Sequence, residues 1–192
     1  MCASIYKYYS PDLAGTTRLF GGINPETEIR AYVNLHGQAN VLEIGCGKGL
    51  TLRDLENVPH VRFFGTTVVS EPEFRTIKAT VKICHAGQIA KKFAEQMDFV
   101  FADSSVTHSA TIFEGLREIS KIMKPNSRLL VNFGETVGTG KEIESWFHKL
   151  GFNVLKITFV REQAWNRIFE ISVPFYLYAY YAEKLSPAPP KN

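Results

Sequence analysis

The feature that most constrains the fold of this chain is the segment Val-Leu-Glu-Ile-Gly-Cys-Gly-Lys-Gly at residues 41–49. An apolar run with an acid near its end, Glu43, is followed by glycine at every second position, at Gly45, Gly47 and Gly49. Glycine allows the backbone to turn tightly and to approach a ligand without an intervening Cβ. The segment therefore predicts a buried strand, a ligand-facing turn and a helix that begins near Leu50.

The residues around this turn also indicate the ligand. A dinucleotide fingerprint needs a third glycine where the chain has Leu50, and an acid about 20 residues further on for the ribose. The chain lacks both, which disfavours a nicotinamide-dependent oxidoreductase. Glu43 instead suits a ligand with an ammonium group, such as the methionine end of S-adenosylmethionine.

The rest of the chain predicts an open α/β sheet. Strand-like runs alternate with helical periodicity, at residues 41–44, 61–64, 81–84, 99–102 and 129–133. Such alternation is typical of a parallel sheet with helices on both faces. Two later runs, 152–159 and 175–181, have no helix between them and predict an antiparallel hairpin. We expect a three-layer α-β-α, doubly wound, seven-stranded sheet, mostly parallel with an antiparallel last hairpin.

Three helices are predicted from their boundaries and periodicity. Asn24-Pro25 reads as an N-cap and a first helical residue. Apolar side chains recur at helical spacing from Ile112 to Met123, and residues 124–127 predict a turn that stops this helix. We expect its charged residues to lie on the solvent side: Glu114, Arg117, Glu118 and Lys121. A third helix over residues 141–150 is predicted to end at Gly151.

Composition excludes several classes of function. The 192 residues suffice for one globular domain, 45% of them hydrophobic and 21% charged. The net charge is +3, and the basic residues are scattered apart from Lys91-Lys92, so no nucleic-acid patch is predicted. No apolar run approaches a bilayer span and no signal peptide is evident, which predicts the cytoplasm. The cysteines form no CxxC pair and predict neither a disulfide nor a metal site: Cys2, Cys46 and Cys84.

Several segments together resemble the class I (Rossmann-like) S-adenosylmethionine-dependent methyltransferase family. Residues 43–49 match its E/DxGxGxG loop, 97–102 its fourth strand, and 116–131 its segment of helix, Lys-Pro turn and fifth strand. The last hairpin is similar to its reversed seventh strand. The resemblance implies a methyltransferase-like domain over 25–185, with 1–24 as an N-terminal lid or extension and 186–192 as a disordered tail.

The sequence departs from the family pattern at two positions. The acid that usually ends the second strand and binds the ribose falls at Thr67, a Gly-x-Thr form that resembles the cyclopropane fatty acid synthases of the same fold. Glu71 does not replace it, because residues 70–73 read as a capping box. After the third strand, where the family often has an acid facing the adenine, the chain offers His85 or Gln88.

Asp103 ends the fourth strand, where the family places groups beside the transferred methyl. Asp103 or His108 would serve as a base if the acceptor must lose a proton. The alternative is that Asp103 caps a turn and His108 packs on the next helix. Asp103 with Asn132 is similar to a metal-dependent arrangement, but two weak oxygen ligands do not make a metal site.

The resemblance implies methyl transfer from S-adenosylmethionine to an unidentified acceptor, which we expect to be a small molecule. Aromatic residues of the N-terminal segment would either line the substrate or cover the core: Tyr6, Tyr8, Tyr9 and Phe20. A non-catalytic binding or scaffolding protein on the same fold is the alternative, motivated by Thr67. The residues expected to bind the cofactor are Glu43, Ile44, Gly45, Cys46, Gly47, Gly49, Thr67, His85 and Asp103.

Overall fold

A computed structural model describes residues 11–68, 74, 76–103, 111–134, 140–166 and 171–186. Its helices are α1 (Leu13–Leu19), α2 (Pro25–His36), α3 (Leu50–Leu55), α4 (Ile89–Lys92), α5 (Ile112–Ile122) and α6 (Gly140–Lys149). Its strands are β1 (Ala39–Ile44), β2 (Val61–Thr67), β3 (Thr80–Ile83), β4 (Met97–Ala102), β5 (Met123–Gly134), β6 (Phe152–Asn166) and β7 (Ile171–Lys184).

The strands form one seven-stranded sheet in the order β3-β2-β1-β4-β5-β7-β6. The first five in this order run parallel to one another. Only β7 is reversed: it pairs antiparallel with β5 on one side and with β6 on the other. The predicted fold class, with its antiparallel last hairpin, is confirmed.

Each face of the sheet carries its own buried core. Because side chains alternate along a strand, Val41 and Phe101 face one side while Leu42 and Val100 face the other. The Val41 face packs against α2, α3 and Phe20, and the Leu42 face against α4, α5 and α6. The three layers are therefore a helical layer, the sheet and a second helical layer.

Helix boundaries follow the predicted signals. Asn24 caps α2 by accepting hydrogen bonds from the backbone amides of Glu26 (2.8 Å) and Thr27 (3.3 Å). The Asn24 cap saves two N–H groups at the helix start from being left without a partner. Gly151 follows α6 with φ of 76°, a conformation that glycine adopts without steric cost.

The structure corrects the prediction around residues 118–127. Glu118 is buried rather than on the solvent side of α5, where it forms an ion pair with Lys121 one turn later. The helix ends at Ile122. Strand β5 begins at the next residue, where Met123 pairs with Met97 of β4, although the sequence predicted that the helix continues to Met123 and is followed by a turn. The residues predicted as a turn form an irregularity inside β5. The register shifts there, because the next pair after Met97–Met123 joins Phe99 to Arg128.

None of the helices in the described part of the chain has the length and hydrophobicity needed to cross a membrane. Cys46 and Cys84 are buried free thiols.

Candidate cofactor and active site

The polar residues predicted for the site meet at the carboxyl ends of the parallel strands. Glu43 lies two positions after Val41 on β1, and Asp103 lies two positions after Phe101 of β4, so each faces the same side of the sheet as that apolar residue. Thr67 lies four positions after Phe63 on β2 and therefore faces the same side of the sheet as Phe63. Since Val41, Phe63 and Phe101 share a core, the three polar side chains belong to the sheet face that α2 and α3 cover.

The glycine turn has the geometry that the sequence predicts. Its glycines all have positive φ: Gly45 76°, Gly47 53° and Gly49 75°. The Gly45 amide donates to Oγ1 of Thr66 at 3.1 Å, and the Cys46 amide donates to the Thr66 carbonyl at 2.7 Å. A Cβ at Gly49 would lie 2.9 Å from Cδ1 of Ile77. The turn is thus fixed to β2, and a side chain at Gly49 would require Ile77 to shift.

Glu43 is a carboxyl group deprived of solvent. The residue is 6% exposed, and its Oε2 is buried without a hydrogen-bond partner in the structure. Burial first, and then the nearby charge of Asp103, raise the pKa of Glu43 from 4.5 to about 8, against a hydrogen bond with Thr51 that lowers it. With that pKa, Glu43 holds a proton at neutral pH until a positive group reaches it.

Asp103 is held by Asn132, which lies beside it on β5. Nδ2 of Asn132 donates to Oδ1 of Asp103 at 2.8 Å and to the carbonyl of Leu19, at the end of α1, at 3.1 Å. From the sequence, Asp103 and Asn132 were considered together only as metal ligands, and two weak oxygen ligands do not make a metal site. Among the described residues, the structure contains no group of three or more His, Cys, Asp or Glu that suits a metal ion.

Thr51 and Thr16 are site residues that sequence reasoning missed. Thr51, in the first turn of α3, is buried and hydrogen-bonded to Glu43. Its Oγ1 lies 2.9 Å from Oγ1 of Thr16 on α1 and 3.0 Å from the carbonyl of Pro11. The sequence did contain a signal for Thr51, because it is a polar residue two positions after Gly49, on the face of α3 that is turned toward the sheet. Helix α1 therefore lies close to Glu43 through Thr51.

The remaining predicted residues differ in where they lie. Thr67 is buried at the end of β2, and its carbonyl accepts from the Cys84 amide at 2.8 Å. His85 is exposed just after β3, two strands from β1 in the sheet order. Cys46 is buried in the glycine turn, and burial raises the pKa of its thiol.

Phe20 belongs to the core on the Val41 face of the sheet, which agrees with the second of its two predicted roles, covering the core. Some predicted residues lie outside the described part of the chain: Tyr6, Tyr8, Tyr9, residues 70–73 and His108.

Comparisons with known proteins show what this chain is similar to. A family model described as a methyltransferase domain matches residues 42–131. The chain is 26% identical to O-methyltransferase resE of Aspergillus sclerotiorum over 166 residues, which covers 70% of this chain and 62% of that protein. The chain thus spans less than two thirds of the length of this relative.

Solved structures show the same fold at low identity. N-methyltransferase NodS of Bradyrhizobium japonicum, in complex with S-adenosyl-L-homocysteine, aligns with a TM-score of 0.59 at 14% identity, covering 85% of this chain and 87% of that one. The [4+2]-cyclase SpnF aligns with the same TM-score and identity, covering 85% and 82%.

The chain has the fold of the class I methyltransferases, and part of it matches the methyltransferase-domain model. The matched segment, residues 42–131, runs from β1 into β5.

Proposed function

We propose that this protein is an S-adenosylmethionine-dependent methyltransferase that methylates a hydroxyl group of a small molecule. The observation that carries the proposal is the buried Glu43 carboxyl, whose Oε2 has no hydrogen-bond partner, beside a turn of positive-φ glycines. A buried carboxylate is costly unless a positive group pairs with it. The ammonium group of the methionine moiety supplies that charge, so the residues present fit the cofactor.

Each part of the cofactor has a candidate contact. Glu43 would hold the ammonium group, and the exposed backbone at Gly45 allows the ligand to lie against the turn. Thr67 would contact the ribose with one neutral hydrogen bond, worth about 1 kcal/mol net, where a carboxylate would contribute more. We assign His85 to the adenine side. The bound cofactor supplies a methyl group on a positively charged sulfonium.

The acceptor chemistry follows from Asp103 and from the relatives. A hydroxyl becomes a good nucleophile when a base within about 3 Å takes its proton. Asp103, at the end of β4 and held by Asn132, is the candidate base. The name of resE as an O-methyltransferase supports an oxygen acceptor. The chain's own contribution is to fix the acceptor against the methyl group and to accept one proton at an Asp103 oxygen.

A non-catalytic binding protein is the second candidate. Its support is Thr67, where the family's ribose-binding acid is replaced by a hydroxyl. A protein of this fold can also have another activity, since SpnF is described as a [4+2]-cyclase. For either candidate the cytoplasm stays our predicted location.

A transfer assay separates the two candidates. Protein is incubated with methyl-labelled S-adenosylmethionine and a panel of phenols and aliphatic alcohols, and label in the acceptor fraction is counted. We expect transfer by the parent and by Glu114→Gln, an exposed acid on α5 that serves as control. Asp103→Asn should bind the cofactor but transfer at least about 100-fold more slowly, the usual size of a general-base effect. Cofactor binding without transfer to any acceptor, and equal behaviour of Asp103→Asn, would support the binding protein instead.

A further inference from the structure

Asn132 is a buried amide whose two donors are both occupied by acceptors. It is fully buried in a strand whose neighbouring positions are apolar. The carbonyl of Leu19 and the carboxylate of Asp103 both accept hydrogen bonds, so the nitrogen of the amide must face them. With one N–H directed at each, the amide plane is fixed by two elements at once, α1 and the end of β4. An apolar residue would fill this position more cheaply, because burying an amide costs free energy unless it is hydrogen-bonded.

We infer that Asn132 is a positioning residue, which fixes the orientation of Asp103 through its direct hydrogen bond while its second hydrogen bond anchors Asn132 to the end of α1. The inference rests on the proposed function only in assigning Asp103 as the base. Without the Asn132 donor, the Asp103 carboxyl loses a contact that orients it, and the oxygen that would receive the acceptor's proton is less precisely placed. In the proposed site, Asn132 itself contacts neither the cofactor nor the acceptor.

A second side chain ties down the same N-terminal segment without reaching Asp103. Oγ1 of Thr158 on β6 donates to the carbonyl of Phe20 at 3.1 Å, one residue after the carbonyl that Asn132 holds. Thr158→Val removes this bond with little change in shape. It therefore provides a matched control: loss of a tether to the segment after α1, with the Asn132–Asp103 bond kept.

A change in the orientation of Asp103 can be measured as a change in the pKa of Glu43. Among the described residues, the charged or titratable groups that act on Glu43 are Asp103, which raises its pKa, and the Cys46 thiol, while a hydrogen bond with Thr51 lowers that pKa. When Asp103 is no longer held toward the site, its repulsion of the Glu43 carboxylate weakens. The titration midpoint of Glu43 should then fall.

The test is a carbon-13 NMR titration of the labelled Glu43 carboxyl in cofactor-free protein. The parent, Asn132→Leu, Asn132→Ser and Thr158→Val are compared, and hydrogen exchange of the amides after α1 is measured in each. We expect faster exchange in all three variants, since each loses a tether. We expect the Glu43 midpoint to fall by at least about half a pH unit in both Asn132 variants and to stay at the parent value in Thr158→Val.

Asn132→Ser is included because it replaces the amide with a smaller polar group and keeps the test available if the leucine variant does not fold. An unchanged midpoint in a folded Asn132 variant overturns the inference. An equal fall in Thr158→Val also overturns it, because undocking of α1 would then be the cause. Titration of the same parent protein with S-adenosylhomocysteine tests the proposed function separately, since the NMR measurement contains no cofactor.

Discussion

Glu43→Gln is the substitution whose effects follow most directly from the site. In the free protein the Glu43 carboxyl is buried, and its pKa is raised to about 8 from 4.5. At about 1.4 kcal/mol per pH unit, ionising it in the folded protein is roughly 5 kcal/mol harder than in water. Binding an ammonium group requires the ionised form. The proton must therefore leave when the cofactor binds.

Two measurable quantities follow. At pH 7 a group with a pKa near 8 is about nine-tenths protonated, so binding should release about 0.9 proton. Affinity for S-adenosylhomocysteine should rise about 50-fold between pH 6 and 8, as the ionised fraction of Glu43 grows. Calorimetry in two buffers of different ionisation enthalpy, repeated across this range, measures both quantities. In Glu43→Gln the proton release and the pH dependence should disappear, and binding at pH 8 should weaken.

Stability gives an independent check with a defined sign. Because the folded-state pKa is raised, the folded protein keeps a proton that the unfolded chain loses above about pH 4.5. The contribution of Glu43 to the free energy of unfolding is therefore greatest below pH 4.5 and falls as pH rises to 8. Glu43→Gln lacks this fall, so its stability relative to the parent should increase by as much as about 4 kcal/mol between pH 4.5 and 8. Chemical denaturation at several pH values measures it. Cofactor affinity that is flat from pH 6 to 8, with no proton release, would refute the reasoning.

Three further predictions concern the turn and the ribose side. Gly47→Val should abolish binding of S-adenosylhomocysteine, because the side chain meets the ligand; with φ of 53° at this position it also costs about 1–2 kcal/mol in denaturation experiments. Gly49→Ala should lower the melting temperature, since φ is 75° and the new Cβ lies 2.9 Å from Ile77, and adding Ile77→Ala should recover only the contact part of the loss. Thr67→Asp should tighten S-adenosylhomocysteine binding several-fold by calorimetry, through a charge-assisted hydrogen bond; much weaker binding would mean that the ribose is held elsewhere.

The elements with strong local signals were predictable from the sequence. The glycine turn, the Asn24 cap and the alternation of strands and helices each depend on residues a few positions apart. Glu43 could be singled out for the same reason, because it stands next to the turn that it serves. The reversed hairpin followed from the absence of a helical segment between two apolar runs.

Features that depend on long-range packing were not predictable. Asn132 contacts Leu19, which is 113 positions away, and Thr51 contacts Thr16 across two helices. Glu118 was assigned to the solvent side by its charge, yet it is buried beside Lys121. The pairing of Met123 with Met97 extended β5 past the predicted turn, because a strand boundary is set by its neighbour as much as by its own residues.

We propose above all that the glycine turn with Glu43 binds S-adenosylmethionine. The direct measurement is calorimetric titration of the purified protein at pH 8 with S-adenosylmethionine and S-adenosylhomocysteine, and with NAD as control. We expect dissociation constants in the micromolar range or below for S-adenosylmethionine and S-adenosylhomocysteine, and no binding of NAD. Absence of heat and of thermal shift at millimolar S-adenosylhomocysteine, or equal binding of NAD, would contradict it.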